Sequence, residues 1–184
     1  MDIAMTSQKT PMTSAPLQRV VVPGTFDPVT FGHLDVISRA RRIAPHVTVA
    51  VAASADKGGT SRAFSLEERV EMIQESIAEL NIDNIDVKPM RGLLVDFCAK
   101  EGADAVVKGL RAATDFEYEL AQADLNVRMS PHLESIFIMS NPEYGYVSSS
   151  VVREIASLGG DVSFLVPEGV AARLKEHFGT DSMV

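Results

Sequence analysis

The chain has 184 residues, a length that suits one domain with a hydrophobic core and is short for two. Hydrophobic residues make up 46% of it, yet no apolar run approaches the length needed to cross a bilayer, so the composition predicts a protein without a membrane span. The net charge of −8 argues against nucleic acid or an anionic membrane as the main partner, because the overall field repels polyanions.

The single cysteine, Cys98, excludes an internal disulfide and fits a reducing compartment, which predicts a cytoplasmic protein. Cys98 shares an apolar helical pattern with Leu94 and Phe97. This environment is typical of a buried, unreactive thiol rather than of a nucleophile.

The first segment, residues 1–17, is rich in Ser, Thr, Met and Pro and has no basic start followed by an apolar stretch. We therefore expect a disordered extension without a secretion signal, and a single domain over residues 18–184. Within that domain, β-branched runs alternate with segments of helical period. The predicted elements are, in chain order, strand 19–22, helix 32–43, strand 47–53, a helix opened by a capping box at 65–68, strand 85–88, helix 93–100, strand 105–108, helix 114–129, strand 135–139, helix 149–158 and helix 169–178.

Regular alternation of strands and helices predicts an α/β fold, because each parallel crossover needs a helix to return the chain. We expect a Rossmann-like architecture, a five-stranded parallel sheet with helices on both faces. Ligands of such sheets gather beyond the carboxyl ends of the strands, so the loops after residues 22, 53, 88, 108 and 139 are the candidate site.

The turn after the first strand, residues 23–33, matches neither the dinucleotide fingerprint nor the phosphate-binding P-loop. Gly24 allows a ligand to approach the backbone closely, and Gly32 removes a side chain where the next helix begins. His33 then lies at a helix N-terminus, where amide groups and the helix dipole favour an anion and an imidazole adds a directed donor. The alternative is a core histidine beside an ordinary turn.

Two short segments resemble signatures of the nucleotidyltransferase superfamily. Residues 30–33, Thr-Phe-Gly-His, resemble its T/H-x-G-H signature, and residues 148–153 resemble the serine-rich segment that opens a late helix and faces the ATP phosphates. Hydroxyls and free amides at a helix start bind phosphate, and Arg153 would add positive charge one turn further on. Taken alone, a serine run is also a common helix N-cap.

Four segments together, 23–33, 64–70, 108–119 and 144–153, resemble the bacterial phosphopantetheine adenylyltransferase family, and the resemblance extends over residues 19–178. It implies catalytic roles for His33, Lys57 and Arg111. It implies ATP contacts for Thr25, Phe26, His33, Gly109, Leu110, Arg111, Glu119, Tyr144, Gly145, Tyr146, Val147, Ser148, Ser149 and Ser150. It implies acceptor contacts for Thr25, Lys57, Leu94 and Lys108. The sequence lacks carboxylates in metal-binding clusters and paired histidines, so we expect no metal ligand of the protein itself.

The resemblance also implies the reaction, in which ATP and 4'-phosphopantetheine give dephospho-coenzyme A and pyrophosphate. Mg²⁺ would arrive with ATP, coenzyme A would act as feedback inhibitor, and the assembly would be a homohexamer. Two positions depart from the family pattern: Lys108 stands where an arginine is often found, and Phe31 where an asparagine is frequent. Lysine keeps the charge but loses the planar fork that grips phosphate with two bonds.

Two phosphate-rich substrates repel each other, so we expect a local set of cations formed by Lys57, Lys108, Arg111 and Arg153, with His33 as a hydrogen-bond donor to the α-phosphate. Each of these side chains could alternatively be a solvated surface charge. Two other functions stay open. The first is transfer to another acceptor, such as nicotinamide mononucleotide, by the same motifs, and the second is a nucleotide-binding module without catalysis.

Overall fold

The computed structural model describes residues 16–53, 62–111 and 113–179, the last range without the side chains of residues 113 and 114. These residues form one parallel sheet whose strand order is β3-β2-β1-β4-β5. The strands are β1 (Arg19–Gly24), β2 (His46–Ala52), β3 (Ile85–Met90), β4 (Ala105–Leu110) and β5 (Glu134–Met139). The helices are α1 (Phe31–Ala40), α2 (Leu66–Glu79), α3 (Leu94–Glu101), α4 (Ala113–Met129), α5 (Ser149–Ser157) and α6 (Glu168–Phe178).

The predicted five-stranded parallel sheet is confirmed, and the differences lie at the ends of the elements. Strands β1 and β4 each continue two residues beyond the expected bound, because Gly24 pairs with Val51 and Leu110 pairs with Met139 in the ladders. Helix α1 ends at Ala40, three residues earlier than expected. A short 3-10 helix, Pro142–Tyr144, was not predicted from the sequence.

The sheet is covered on both faces, as the alternation of its side chains requires. On β1, Val20 and Val22 belong to the larger core cluster with Ile37 of α1, whereas Val21 points into a smaller cluster with Cys98 of α3. Cys98 is 1% exposed, and desolvation raises the pKa of its thiol to about 12, with Glu101 as a lesser cause. The prediction of a buried thiol is confirmed, and the raised pKa is consistent with the unreactive character expected of it.

The strand order places a change of direction at the centre of the sheet. From β1 the chain moves outward through β2 and β3, and then returns to form β4 on the other side of β1. The crevice above the carboxyl ends of β1 and β4 is therefore a topological switch point, where open α/β sheets bind ligands.

Most of the expected N-terminal extension, residues 1–15, lies outside the described residues. Leu17, which we had placed in that extension, is partly buried against the larger core cluster. Among the helices of the described ranges, none combines the length and the apolar character that a bilayer span demands.

Replacing Ile37 by alanine tests the central packing of α1 on the sheet, since Ile37 is 0% exposed. We expect the free energy of unfolding to fall by about 2–5 kcal/mol, through lost burial and the cavity left behind. Urea denaturation measures it. The control is Leu158→Ala, at a side chain that is 82% exposed, which should change stability by less than about 0.5 kcal/mol. Equal losses in both variants would contradict this assignment of the core.

Candidate active site

A cavity of about 670 Å³ opens above the carboxyl ends of β1 and β4. This is the location that the parallel sheet predicts. The cavity brings together most of the residues that the resemblance implied: Thr25, Phe26, His33, Leu94, Lys108, Gly109, Arg111, Glu119, Tyr144, Val147, Ser148, Ser149 and Ser150.

Three of the predicted residues within the described ranges, Leu110, Gly145 and Tyr146, do not line this cavity. Leu110 is 5% exposed and buried at the end of β4, whereas Tyr146 is 66% exposed. The Val147 N–H donates to the Tyr144 carbonyl (3.0 Å) and closes a turn. Tyr144 and Val147, at the ends of this turn, line the cavity, whereas Gly145 and Tyr146 between them do not. Lys57 lies outside the described residues, so its implied roles stay predictions.

Asp27 holds the turn after β1 in place. Its side chain is 3% exposed and accepts hydrogen bonds from the main-chain N–H groups of Ala63 (3.2 Å) and Phe64 (3.0 Å). Arg153 of α5 donates to the Asp27 main-chain carbonyl, and its guanidinium is 3.4 Å from the Asp27 carboxylate. The Asp27–Pro28 peptide bond is cis. One buried carboxylate thus connects the β1 turn with the start of α2 and with α5.

The four residues Thr-Phe-Gly-His form a helix cap whose geometry explains their spacing. Thr30 is the N-cap of α1, and its side-chain oxygen accepts from the His33 main-chain N–H (3.4 Å). In return the Thr30 main-chain N–H donates to Nδ1 of His33 (3.1 Å). This is a capping box in which histidine takes the place of the usual Glu or Gln. A Cβ at Gly32 would lie 3.3 Å from Cβ of Tyr144, so glycine allows the two segments to meet closely.

The His33 imidazole is neutral at physiological pH. Desolvation by burial lowers its pKa from 6.5 to about 4, and the positive charge of Arg111 is a second, smaller cause of this shift. Because Nδ1 accepts the Thr30 N–H, the proton of the neutral ring is assigned to Nε2. His33 also lines the cavity. The ring is therefore an oriented, uncharged hydrogen-bond donor.

Phe26 supports one side of that ring. The two rings meet edge to face, with centroids 5.1 Å apart. Phe26 adopts φ +50°, a left-handed conformation that is unusual for a bulky residue and that surrounding contacts have to stabilise. A Cβ at Gly24 would lie 2.7 Å from the Phe26 ring, so glycine is required at that position for the ring to occupy its place.

The serine segment opens α5 on the other side of the same cavity. Ser148 is the N-cap, and its hydroxyl accepts from the Val151 N–H (3.2 Å) and contacts the Ser150 hydroxyl (3.0 Å). The Ser149 hydroxyl donates to the Pro28 carbonyl (2.8 Å), which ties α5 to the turn after β1. The starts of α1 and α5 thus face one cavity, and the positive ends of both helix dipoles favour an anion there.

Three of the expected cations, Lys108, Arg111 and Arg153, lie within the described residues, and each contacts a carboxylate. Lys108 Nζ lies 2.8 Å from Oε2 of Glu119. Arg111 pairs with Asp115 (3.2 Å) and donates to the Val147 carbonyl (3.3 Å). The position of Arg153 differs from the one expected. We expected its positive charge to face the phosphates, but its guanidinium contacts the carboxylate and the main-chain carbonyl of Asp27.

Several cavity residues were missed from the sequence, among them Asp115, Tyr118 and Ser140. Asp115 could have been predicted, because it follows Arg111 by four residues at a predicted helix start. In the structure its carboxylate also accepts the Arg111 main-chain N–H (3.3 Å). Tyr118 and Ser140 had none. Within the described residues, no group of three or more His, Cys, Asp or Glu side chains forms a metal-binding cluster.

Comparison with known proteins identifies the class first. Residues 21–155 match the family model of the cytidylyltransferase-like proteins. A provisionally assigned nicotinate-nucleotide adenylyltransferase of Vibrio parahaemolyticus has a similar structure, with a TM-score of 0.66 and 16% identity over 88% of this chain and 94% of that chain. At this level of identity the likeness bears on the fold alone, which is the Rossmann-like nucleotidyltransferase fold.

Two curated relatives are much closer in sequence. The chain is 42% identical over 161 residues to the phosphopantetheine adenylyltransferase of Staphylococcus carnosus, covering 88% of this chain and 97% of that protein. It is 48% identical over 156 residues to the phosphopantetheine adenylyltransferase of Rubrobacter xylanophilus, covering 85% and 92%. The chain therefore belongs to the phosphopantetheine adenylyltransferase family, a family of nucleotidyltransferase enzymes, and the resemblance read from its motifs is confirmed.

The low pKa of His33 predicts a distinct titration. In an NMR pH titration, the imidazole resonance that is missing from a His33→Asn variant should show a midpoint near 4 rather than 6.5. Because the unfolded state binds this proton more tightly, His33 should also make stability fall as pH drops from about 6.5 toward 4, and His33→Asn should reduce that slope. A midpoint near 6.5 would contradict the buried, neutral imidazole.

Proposed function

We propose that this chain transfers the adenylyl group of ATP to 4'-phosphopantetheine, giving dephospho-coenzyme A and pyrophosphate. The observation that carries the proposal is the single cavity in which His33, at the start of α1, faces the serine-lined start of α5. The close curated relatives supply the acceptor, since both are phosphopantetheine adenylyltransferases. An imidazole that is oriented by the Thr30 N–H and lines the cavity favours catalysis over a non-catalytic nucleotide-binding module.

The reaction is an in-line attack of the acceptor phosphate on the α-phosphorus of ATP, with pyrophosphate leaving. No covalent enzyme intermediate is needed, and an already ionised phosphate needs no general base. The main obstacle is charge: two unit charges about 5 Å apart repel by roughly 3 kcal/mol at an effective dielectric of about 20. The protein must therefore supply donors that are directed at the phosphoryl oxygens as the transition state forms.

His33 supplies one such donor. Its Nδ1 is held by the Thr30 N–H, which leaves the proton on Nε2 for a non-bridging oxygen of the α-phosphate. Its pKa of about 4 keeps it from protonating the substrate at neutral pH, so its role is to stabilise developing charge. The hydroxyls of Ser148 and Ser150, with the amides of the first turn of α5, bind the leaving phosphates.

Lys108 binds the phosphate of the acceptor in this scheme. The ammonium group has three donors, so it can keep its contact with Glu119 while it binds a phosphate oxygen. Leu94, which lines the cavity beside Met90, contacts the apolar part of the pantetheine arm. Thr25 lies between the two substrates, and Arg111 lies along the nucleotide where Asp115 fixes its guanidinium.

Mg²⁺ enters as part of the ATP substrate and neutralises its phosphates. The homohexamer, feedback inhibition by coenzyme A and the cytoplasmic location stay predictions. Exposed apolar side chains on α4, including Leu125 (50%), Val127 (44%) and Met129 (52%), support an assembly of several copies.

The proposed acceptor is tested by pyrophosphate release from ATP and Mg²⁺ with each candidate. We expect release with 4'-phosphopantetheine and none above background with nicotinamide mononucleotide or without an acceptor. Mass spectrometry of the product should show dephospho-coenzyme A. Release with nicotinamide mononucleotide alone would select the rival acceptor, and no release with either compound would favour a binding module.

Replacing His33 by alanine tests the donor. Turnover should fall by about two to three orders of magnitude, as for the loss of a single oxyanion-type donor, while the circular dichroism spectrum stays unchanged. The control is His132→Ala, because His132 is exposed and precedes β5. It therefore lies at the amino-terminal ends of the strands, opposite the cavity. Near-normal turnover of His33→Ala would refute the role given to this imidazole.

A further inference from the structure

Arg69, on the first turns of α2, is the largest fully buried side chain among the described residues, with 2% exposure. It carries a guanidinium into the protein interior, where ionised groups are costly unless they are paired or fully hydrogen-bonded. Desolvation lowers its pKa, and the charge of Arg62 does so to a lesser extent. A cation kept in such a place needs a specific reason.

Its hydrogen bonds go to three main-chain carbonyls on three different segments. Nη1 donates to Thr25 O (2.6 Å) in the turn after β1 and to Ala52 O (3.0 Å) at the end of β2, and Nε donates to Ser65 O (3.2 Å) at the N-cap of α2. Thr25 and Ala52 both line the cavity. A planar guanidinium presents its donors in a fixed fork and can hold three carbonyls in one arrangement, whereas the three donors of an ammonium group share one nitrogen and rotate freely.

The carbonyl of Thr25 has particular importance, because it belongs to the peptide unit that joins Thr25 to Phe26. The plane of that peptide sets the φ angle of Phe26, and this φ is +50°. The same angle directs the Phe26 ring against His33, with centroids 5.1 Å apart. A chain of direct contacts therefore runs from the Arg69 guanidinium through one peptide plane and one ring to the imidazole.

Two independent ties connect this turn with the start of α2. In the first, the Asp27 side chain of the turn accepts from the main-chain amides of Ala63 and Phe64. In the second, the Arg69 side chain of α2 donates to the main-chain carbonyl of Thr25 in the turn. The capping box of α2, in which Ser65 and Glu68 exchange hydrogen bonds, anchors the helix from which Arg69 projects. The Asp27 tie fixes where the turn lies, and the Arg69 tie fixes how its peptide plane is oriented.

We propose that Arg69 is a positioning residue of the adenylyl transfer site, which holds the Thr25–Phe26 peptide so that Thr25 faces the substrates and the Phe26 ring keeps His33 in its donor orientation. Arg69 touches neither the nucleotide nor the reacting atoms and acts through these two residues. The inference rests on the proposed function for its kinetic consequence, whereas the structural link between Arg69 and His33 stands apart from it.

The test compares Arg69→Lys with the wild-type chain in two measurements. Turnover of the folded variant should fall by about 10- to 100-fold, the loss that a displacement of about 1 Å in an active site can cause. KM for ATP should change less than turnover, because the groups proposed to bind the triphosphate at the start of α5 remain in place. In NMR spectra the His33 imidazole resonance should shift, and its titration midpoint should rise from about 4 toward 6.5 as the Phe26 ring leaves it.

The control is Arg173→Gln. Arg173 of α6 also binds α2, through Glu71 (3.4 Å) and Glu75 (2.7 Å), but it lies away from the cavity. It should lower stability without moving turnover or the His33 resonance. If Arg69→Lys does not fold, Arg69→Met replaces it, since an apolar side chain of similar length removes the buried charge, and the same losses are expected.

The proposal would be overturned if the Arg69→Lys variant kept wild-type turnover and an unshifted His33 resonance. It would equally be overturned if stability fell while turnover per folded molecule and the His33 resonance stayed unchanged, since Arg69 would then have a purely structural role. The two proposals fail separately. A wild-type chain that releases no pyrophosphate with 4'-phosphopantetheine would refute the function, and the His33 resonance would still decide whether Arg69 positions the imidazole.

Discussion

The buried carboxylate of Asp27 is the constraint on which the cavity depends. Parallel strands bring the turn after β1, the start of α2 and the start of α5 to the same edge of the sheet, but they do not fix these segments relative to one another. Asp27 does so, by accepting two amides before α2 and by pairing with Arg153 of α5. Removal of such a group leaves the buried Phe64 amide and its other partners without an acceptor, which costs more than the loss of one exposed ion pair.

Around this connection the site relies on dipoles and oriented donors more than on free positive charge. His33 is neutral, and Lys108, Arg111 and Arg153 each contact a carboxylate. This arrangement reconciles an acidic chain of net charge −8 with phosphate-rich substrates. Two helix starts and their hydroxyls offer donors whose direction is set before the substrates arrive, so little reorganisation is needed during the reaction.

The sequence predicted the sheet, the order of its elements and the cavity edge, because hydrophobic period and helix caps are local signals. It also predicted His33 at a helix start, although the capping box that fixes its tautomer became visible only in three dimensions. The sequence did not indicate that Arg153 contacts Asp27 or that Arg69 donates to the Thr25 carbonyl. In both cases the partner is distant in sequence, and a charged residue on a predicted helix is normally expected to be exposed.

The position of the bound triphosphate can be measured in a crystal structure of the chain with Mg²⁺ and an ATP analogue whose α,β-bridging oxygen is replaced by a methylene group. We expect the α-phosphate to lie within hydrogen-bonding distance of Nε2 of His33, and the β- and γ-phosphates to lie against the first turn of α5 at Ser148 and Ser150. A triphosphate bound at a distance from either helix start, or a His33 ring turned away from the α-phosphate, would contradict it.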